Sequence, residues 1–119
     1  MRDFRKLTVW LGSHALTLEV YRQTAQFPDH ERYGVTSQLR RACASVPTNL
    51  AEGCGRRSER DFARFVTIAA GSASEVEYLL LLANDLGYLC STRYSALSGE
   101  IIEVKKMLVA FEKRLTADS

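Results

Sequence analysis

The sequence predicts an all-α protein, an antiparallel up-down four-helix bundle whose second helix is kinked at Pro47. Three observations predict it. Apolar residues recur at three- and four-residue steps in four separate stretches, the signature of helices with one buried face. No stretch keeps the two-residue alternation of a half-buried strand. Only two prolines and seven glycines punctuate 119 residues, which favours long elements joined by short connections.

The first helix is expected over about residues 4–26. Phe4, Leu7, Leu11, His14, Leu18, Tyr21 and Ala25 form a heptad-like seam expected to face the core. Val9, Trp10, Leu16 and Val20 fall outside it, as apolar surface for other subunits to close. Phe27-Pro28 stops this helix, because the residue before proline avoids the helical region. Asp29 is the expected N-cap of the second helix.

That second helix runs from about His30 or Tyr33 to Cys54. Leu39, Ala42, Cys43, Val46, Leu50 and Gly53 share one face. Pro47 removes a helical hydrogen bond mid-helix, hence the expected kink. Gly53 and Gly55 are expected to end the helix as left-handed caps. Ser58, with Asp61 three positions on, reads as the N-cap of a third helix over about residues 58–87. Phe62, Val66, Ala69, Ala73, Val76, Leu80 and Ala83 are its seam, widened by Phe65, Ile68, Leu79, Leu82 and Leu86. After Gly87, Ser91 or Thr92 can cap a fourth helix over about residues 92–116. Tyr94, Leu97, Ile101, Val104, Leu108, Phe111 and Leu115 hold unbroken register along it. The length supports one domain, residues 1–119.

Charge is distributed unevenly. Residues 1–64 carry 11 Lys/Arg against 7 Asp/Glu, whereas residues 65–119 carry 5 against 7. Met1-Arg-Asp-Phe-Arg-Lys6 opens an amphipathic segment, so a secretory leader is not expected. The longest uncharged apolar run, Tyr78 to Ala83, is far short of the ~20 residues of a membrane span, so no membrane partner is expected. Three cysteines without close spacing point to reduced thiols and a cytoplasmic protein.

The pattern argues against several chemistries. A di-iron bundle needs Glu-x-x-His pairs, and neither His14 nor His30 completes one. Cys43, Cys54 and Cys90 are too scattered for zinc, and no histidine is tied to a cysteine by position. Gly53-Cys-Gly-Arg-Arg-Ser58 lacks the lysine and preceding strand of a phosphate loop. No catalytic residue, metal or cofactor is expected.

Two constellations remain. Arg41, Ser45, Asn49 and Glu52 step along the second helix and could meet Ser72, Glu75 and Glu77 of the third. This stripe reads as a structural polar network, with a ligand pocket or a subunit contact as alternatives. Arg40, Arg56, Arg57, Arg60 and Arg64 cluster around the connection between the second and third helices. They suit phosphate, and equally suit ion pairs at a subunit contact.

Arg40-Arg41-Ala42, Ser45-Val-Pro-Thr-Asn49, Ala51-Glu52-Gly53 and Gly55-Arg56 resemble the four-helix bundle protein family also called 23S rRNA intervening-sequence proteins. Phe27-Pro28, Tyr33-Gly34-Val-Thr-Ser-Gln38, Phe62, Phe65, Ile68-Ala69, Gly71-Ser72, Glu75, Glu77 and Leu86-Gly-Tyr-Leu89 continue the resemblance in order. It is more distantly similar to the accessory variability determinant of diversity-generating retroelements. The resemblance implies a bundle that assembles as a ring-shaped homopentamer, with no established enzyme activity. In the retroelement relatives, basic residues on such a ring contact nucleic acid and a reverse transcriptase. The expectation is therefore a non-enzymatic homo-oligomer that binds RNA or DNA. The alternative is an adaptor ring binding a protein partner, its arginines serving subunit contacts.

Overall fold

The computed structural model describes residues 2–117. Four α-helices account for most of them: α1 (Thr8–Thr24), α2 (Val35–Cys54), α3 (Glu59–Asp85) and α4 (Ser91–Thr116). Single 3₁₀ turns, Phe4–Lys6 and Asp29–Glu31, precede α1 and α2.

The first helix is shorter than expected, because Leu7 is extended and separates the Phe4–Lys6 turn from α1. The buried face of α1 also differs from the expected one. Val9, Ser13, Leu16, Thr17, Val20 and Thr24 are buried. Leu11, Leu18 and Tyr21, assigned to the core by periodicity, are exposed, as are His14 and Ala25. The physical reason lies in three hydroxyls. Ser13, Thr17 and Thr24 each donate to a carbonyl of their own helix, those of Trp10, Ser13 and Val20, at 3.0, 2.8 and 2.7 Å. With their donors satisfied in this way, they pack as small side chains against the core.

Gly34, not Asp29, occupies the N-cap of α2, and Glu31 supplies a side-chain acceptor for its first N–H. One oxygen accepts the Val35 N–H at 3.2 Å and the other accepts the Tyr88 hydroxyl at 2.8 Å. Pro47 is buried within α2, which continues to Cys54. Gly55 follows in the right-handed region, so the expected left-handed cap is absent there. Gly53 instead lies inside the helix, where its missing side chain admits the ring of Phe62. Ser58 caps α3 as expected, its Oγ accepting the Asp61 N–H at 3.0 Å. Gly87, at φ +81°, ends α3. The Gly87 and Tyr88 N–H groups reach back to the carbonyls of Asn84 and Ala83 at 3.0 and 2.9 Å. Cys90 occupies the N-cap of α4, and neither Ser91 nor Thr92 caps it.

Each helix packs on two neighbours. α1 and α3 each lie against α2 and α4, and the diagonal pairs stay apart. Cross-contacts show opposed directions. Arg40 of α2 reaches Thr24 at the end of α1, while Cys54 meets Arg2 before its start. Phe62 opens α3 against Phe111 near the end of α4, and Glu77 further on meets Lys105. The bundle measures 46 × 22 × 20 Å. One core runs through it, containing Leu39, Val46, Leu50, Phe62, Val66, Val76, Leu80, Ile101, Val104 and Leu108, all expected there.

By length and composition α3 is apolar enough to cross a membrane, which its short uncharged run did not suggest. Its inner stripe, Val66, Ala69, Ala73, Val76 and Leu80, is completely buried in the bundle. Its outer face exposes Ile68, Tyr78 and Leu81, and Leu86 just beyond its end is exposed as well.

Candidate nucleic-acid interface

The antiparallel order brings the start of α1, the α2–α3 connection and the end of α4 to one end of the bundle. Segments 2–6, 55–64 and 112–114 carry nine Lys/Arg against four Asp/Glu. Four of the five arginines singled out in the sequence, Arg56, Arg57, Arg60 and Arg64, lie here.

Asp61 organises the centre. It sits in the first turn of α3, positioned by the Ser58 cap. Its two oxygens divide the neighbouring guanidinium groups between them. Arg56 Nε donates to Oδ2 at 2.7 Å, and Arg64 Nε and Nη2 donate to Oδ1 at 3.1 and 3.0 Å. Both guanidinium carbons stand over the Phe65 ring, 4.9 and 4.8 Å from its centroid. Hydrogen bonds from Arg56 and then Arg64 hold the Asp61 carboxyl below the ordinary aspartate range.

Arg2 closes one side. Its backbone N–H donates to the Cys54 carbonyl at 3.2 Å, and its guanidinium to Glu59 at 2.6 Å. The same guanidinium stands 5.4 and 5.8 Å from the centroids of Phe62 and Phe111. Arg57 and Arg60 are exposed and have no ion-pair or hydrogen-bond partner among the described residues. The end therefore holds two kinds of cation. Arg2, Arg56 and Arg64 are fixed by carboxylates and rings, whereas Arg57 and Arg60 are open to an incoming anion.

Arg40 lies elsewhere. Fourteen helical residues follow it before α2 ends at Cys54, two residues short of Arg56, a rise of ~21 Å at 1.5 Å per residue. Its Nε donates to Thr24 Oγ1 at 2.7 Å and Nη2 to the Tyr21 carbonyl at 3.2 Å, closing the last turn of α1. Conversely, Arg2, Arg5, Lys6, Lys113 and Arg114 join the basic end without having been singled out. The signal for them was available: antiparallel order alone places the beginning of the first helix and the end of the fourth beside the second connection.

The polar stripe is brought together in part. Ser45 and Ser72 hydroxyls meet at 2.8 Å across α2 and α3, and Asn49 Nδ2 donates to the Ser45 carbonyl at 2.8 Å and to its hydroxyl at 3.0 Å. All three are half-buried. Arg41, Glu52 and Glu75 are exposed, Arg41 donating to Ser37 at 3.3 Å. Glu77 turns to α4 and accepts from Lys105 at 2.8 Å. Cys43 and Cys54 are buried and Cys90 is exposed. Among the described residues no three His, Cys, Asp or Glu side chains gather as a metal would require.

A family model described as 23S rRNA-intervening sequence protein matches residues 5–110. A crystal structure of a protein of unknown function from the S23 ribosomal protein family of Bacteroides thetaiotaomicron superposes with a TM-score of 0.80 at 23% identity. The match covers 89% of this chain and 99% of that one. No curated protein matches.

Proposed function

The chain belongs to the 23S rRNA-intervening sequence protein family, and from that premise we propose that it is a non-enzymatic, homo-oligomeric accessory protein that binds nucleic acid through its basic bundle end. The observation that carries this reading is the pair Arg57 and Arg60, exposed and unpaired beside three arginines already held in place. Fixed guanidinium groups shape a surface, and open ones can exchange counterions for phosphate.

Assembly is part of the proposal. The outer face of α1 presents Leu11, Leu18 and Tyr21 in one stripe, respectively 53%, 45% and 46% exposed. An apolar stripe of this kind suits burial against another copy. We take the assembly to be the pentameric ring that the resemblance implies, in the cytoplasm. A ring would repeat the basic end around an axis and raise its field above that of one weakly charged chain.

Binding should be micromolar or weaker, about 10⁻⁴–10⁻⁶ M at physiological salt for non-specific contacts, and should weaken steeply as salt rises. Replacing Arg57 and Arg60 with glutamine should flatten the salt dependence and leave the oligomer intact. The adaptor reading keeps one observation of its own, since Arg56 and Arg64 are already occupied by Asp61 and Phe65. Dissociation of the variant oligomer would favour that reading. Absence of binding by the wild type at low salt would refute the nucleic-acid role.

A further inference from the structure

We propose that the cleft between the start of α1 and the end of α4 binds a small amphipathic anion, a carboxylate or sulfonate with a short apolar tail. The cleft encloses about 400 Å³. Small-ligand pockets run ~300–1,000 Å³, so the space suits a single small molecule.

Its walls define the chemistry. Leu7, Val9, Met107 and Phe111 supply apolar surface, and Lys6 and Arg114 stand at its edge. None of the described residues lining it is acidic. Neither Lys6 nor Arg114 has a carboxylate partner among the described residues; Arg114 stands 5.5 Å from the Phe111 ring centroid. A cleft with an apolar floor and two cations at its edge matches a molecule with an apolar body and one anionic head. The first turn of α1 adds to the same field. Its N-cap, Leu7, makes no side-chain cap bond, and no acidic residue occupies that turn.

Packing explains why the space exists. Of the four packed helix pairs, α1 and α4 touch least. Gly12 lies outside the lining, at a point where the helices are in contact: a β-carbon there would meet Met107 Cε at 3.6 Å. Lys6 and Arg114 also belong to the basic end, but the ligand enters between helices and its binding is read without nucleic acid, so this inference can fail or hold separately from the nucleic-acid reading.

Calorimetric titration of the intact chain with octanoate, octanol and octylammonium tests it. Octanoate should bind, octanol should bind roughly tenfold more weakly, and octylammonium should not bind. The double variant Lys6→Gln, Arg114→Gln should weaken octanoate binding roughly tenfold or more, with its helical signal unchanged. If that variant does not fold, the comparison of the three probes on the wild type decides alone. Methyl resonances of Val9 and Met107 should shift on octanoate addition. No octanoate binding, equal binding of octanoate and octylammonium, a folded double variant of unchanged affinity, or shifts confined to other regions would each overturn the proposal.

Discussion

Gly53 and Phe62 occupy space that only glycine leaves free: a β-carbon on Gly53 would lie 2.5 Å from Phe62 Cδ1. Phe62 cannot easily yield, because it is buried and meets Phe111 edge-on at 5.2 Å between centroids. Alanine would also come within 3.1 Å of Phe65 Cβ. Overpacking of this kind costs ~1–3 kcal/mol, offset by up to ~1 kcal/mol of better helix propensity. Gly53→Ala is therefore expected to lower stability by up to about 2 kcal/mol in urea unfolding. A stabilised variant would show that α2 and α3 do not approach this closely.

The two faces of α1 should respond oppositely. Leu16 is buried, so Leu16→Ala is expected to cost ~2–5 kcal/mol of folding stability. Leu18→Ala should change folding of the chain by no more than ~0.5 kcal/mol. If α1 carries the subunit contact, Leu18→Ala should instead lower the assembled mass in light scattering. Leu108, at 0% exposure, should behave like Leu16. Equal thermal effects of the Leu16 and Leu18 substitutions would contradict the observed face.

Acid should weaken two specific contacts. The Tyr88 hydroxyl, followed by the Val35 N–H, holds the Glu31 carboxyl below its ordinary range. Asp61 is held low by Arg56 and Arg64. A carboxyl depressed by folding contributes fully above its unfolded pKa of ~4 and loses that contribution as pH falls through the folded value. Glu31→Gln and Asp61→Asn should each flatten the decline in thermal midpoint below pH ~4. Tyr88, raised first by its bond to Glu31, gives the alkaline counterpart. Its contribution is complete below ~10 and is lost as pH rises through the folded value. Thermal melts across pH check both limbs.

Thiol labelling should separate the cysteines. Burial pushes the Cys43 thiol up to about 11, opposed only in part by the Thr17 hydroxyl bond. Cys54 is also buried, and Cys90 is exposed. Iodoacetamide near neutral pH should modify Cys90 first, and Cys43 only on unfolding. Rapid modification of Cys43 in the folded chain, followed by mass spectrometry, would show that α1 opens away from α2.

Legibility followed the strength of the local signal. In α3 and α4 the buried positions are almost all apolar and regularly spaced, so Val66 through Leu80 and Leu97 through Leu115 could be placed from spacing alone. In α1 the core stripe includes Ser13, Thr17 and Thr24, while Leu11, Leu18 and Tyr21 lie outside. Hydropathy ranks those faces in the wrong order, because it cannot register a hydroxyl already bonded to its own helix. Caps divided in the same way. Ser58 was readable because its partner is three residues away, but the Glu31 bond to Tyr88 joins residues 57 apart in sequence. At the basic end, Arg56, Arg57, Arg60 and Arg64 fall within nine residues and are legible as a cluster. Arg2 and Arg114 required the chain to be folded back on itself. Arg40 looked like a member only because it is near in sequence.

The return of α4 to the starting end of α1 also governs what can be attached to this protein. Arg2 lies against Phe111, so both ends of the described chain emerge beside Arg57 and Arg60 rather than at the far Tyr88 end. A tag or fused domain at either end would hang over the cationic surface. An acidic tag there would compete with nucleic acid as a tethered decoy at high local concentration. A nuclease or fluorophore would instead be delivered to whatever that surface holds. A reporter that must leave this face clear belongs at the opposite pole, at the exposed Leu86 and Gly87 rather than at the half-buried Tyr88 or buried Leu89 that follow.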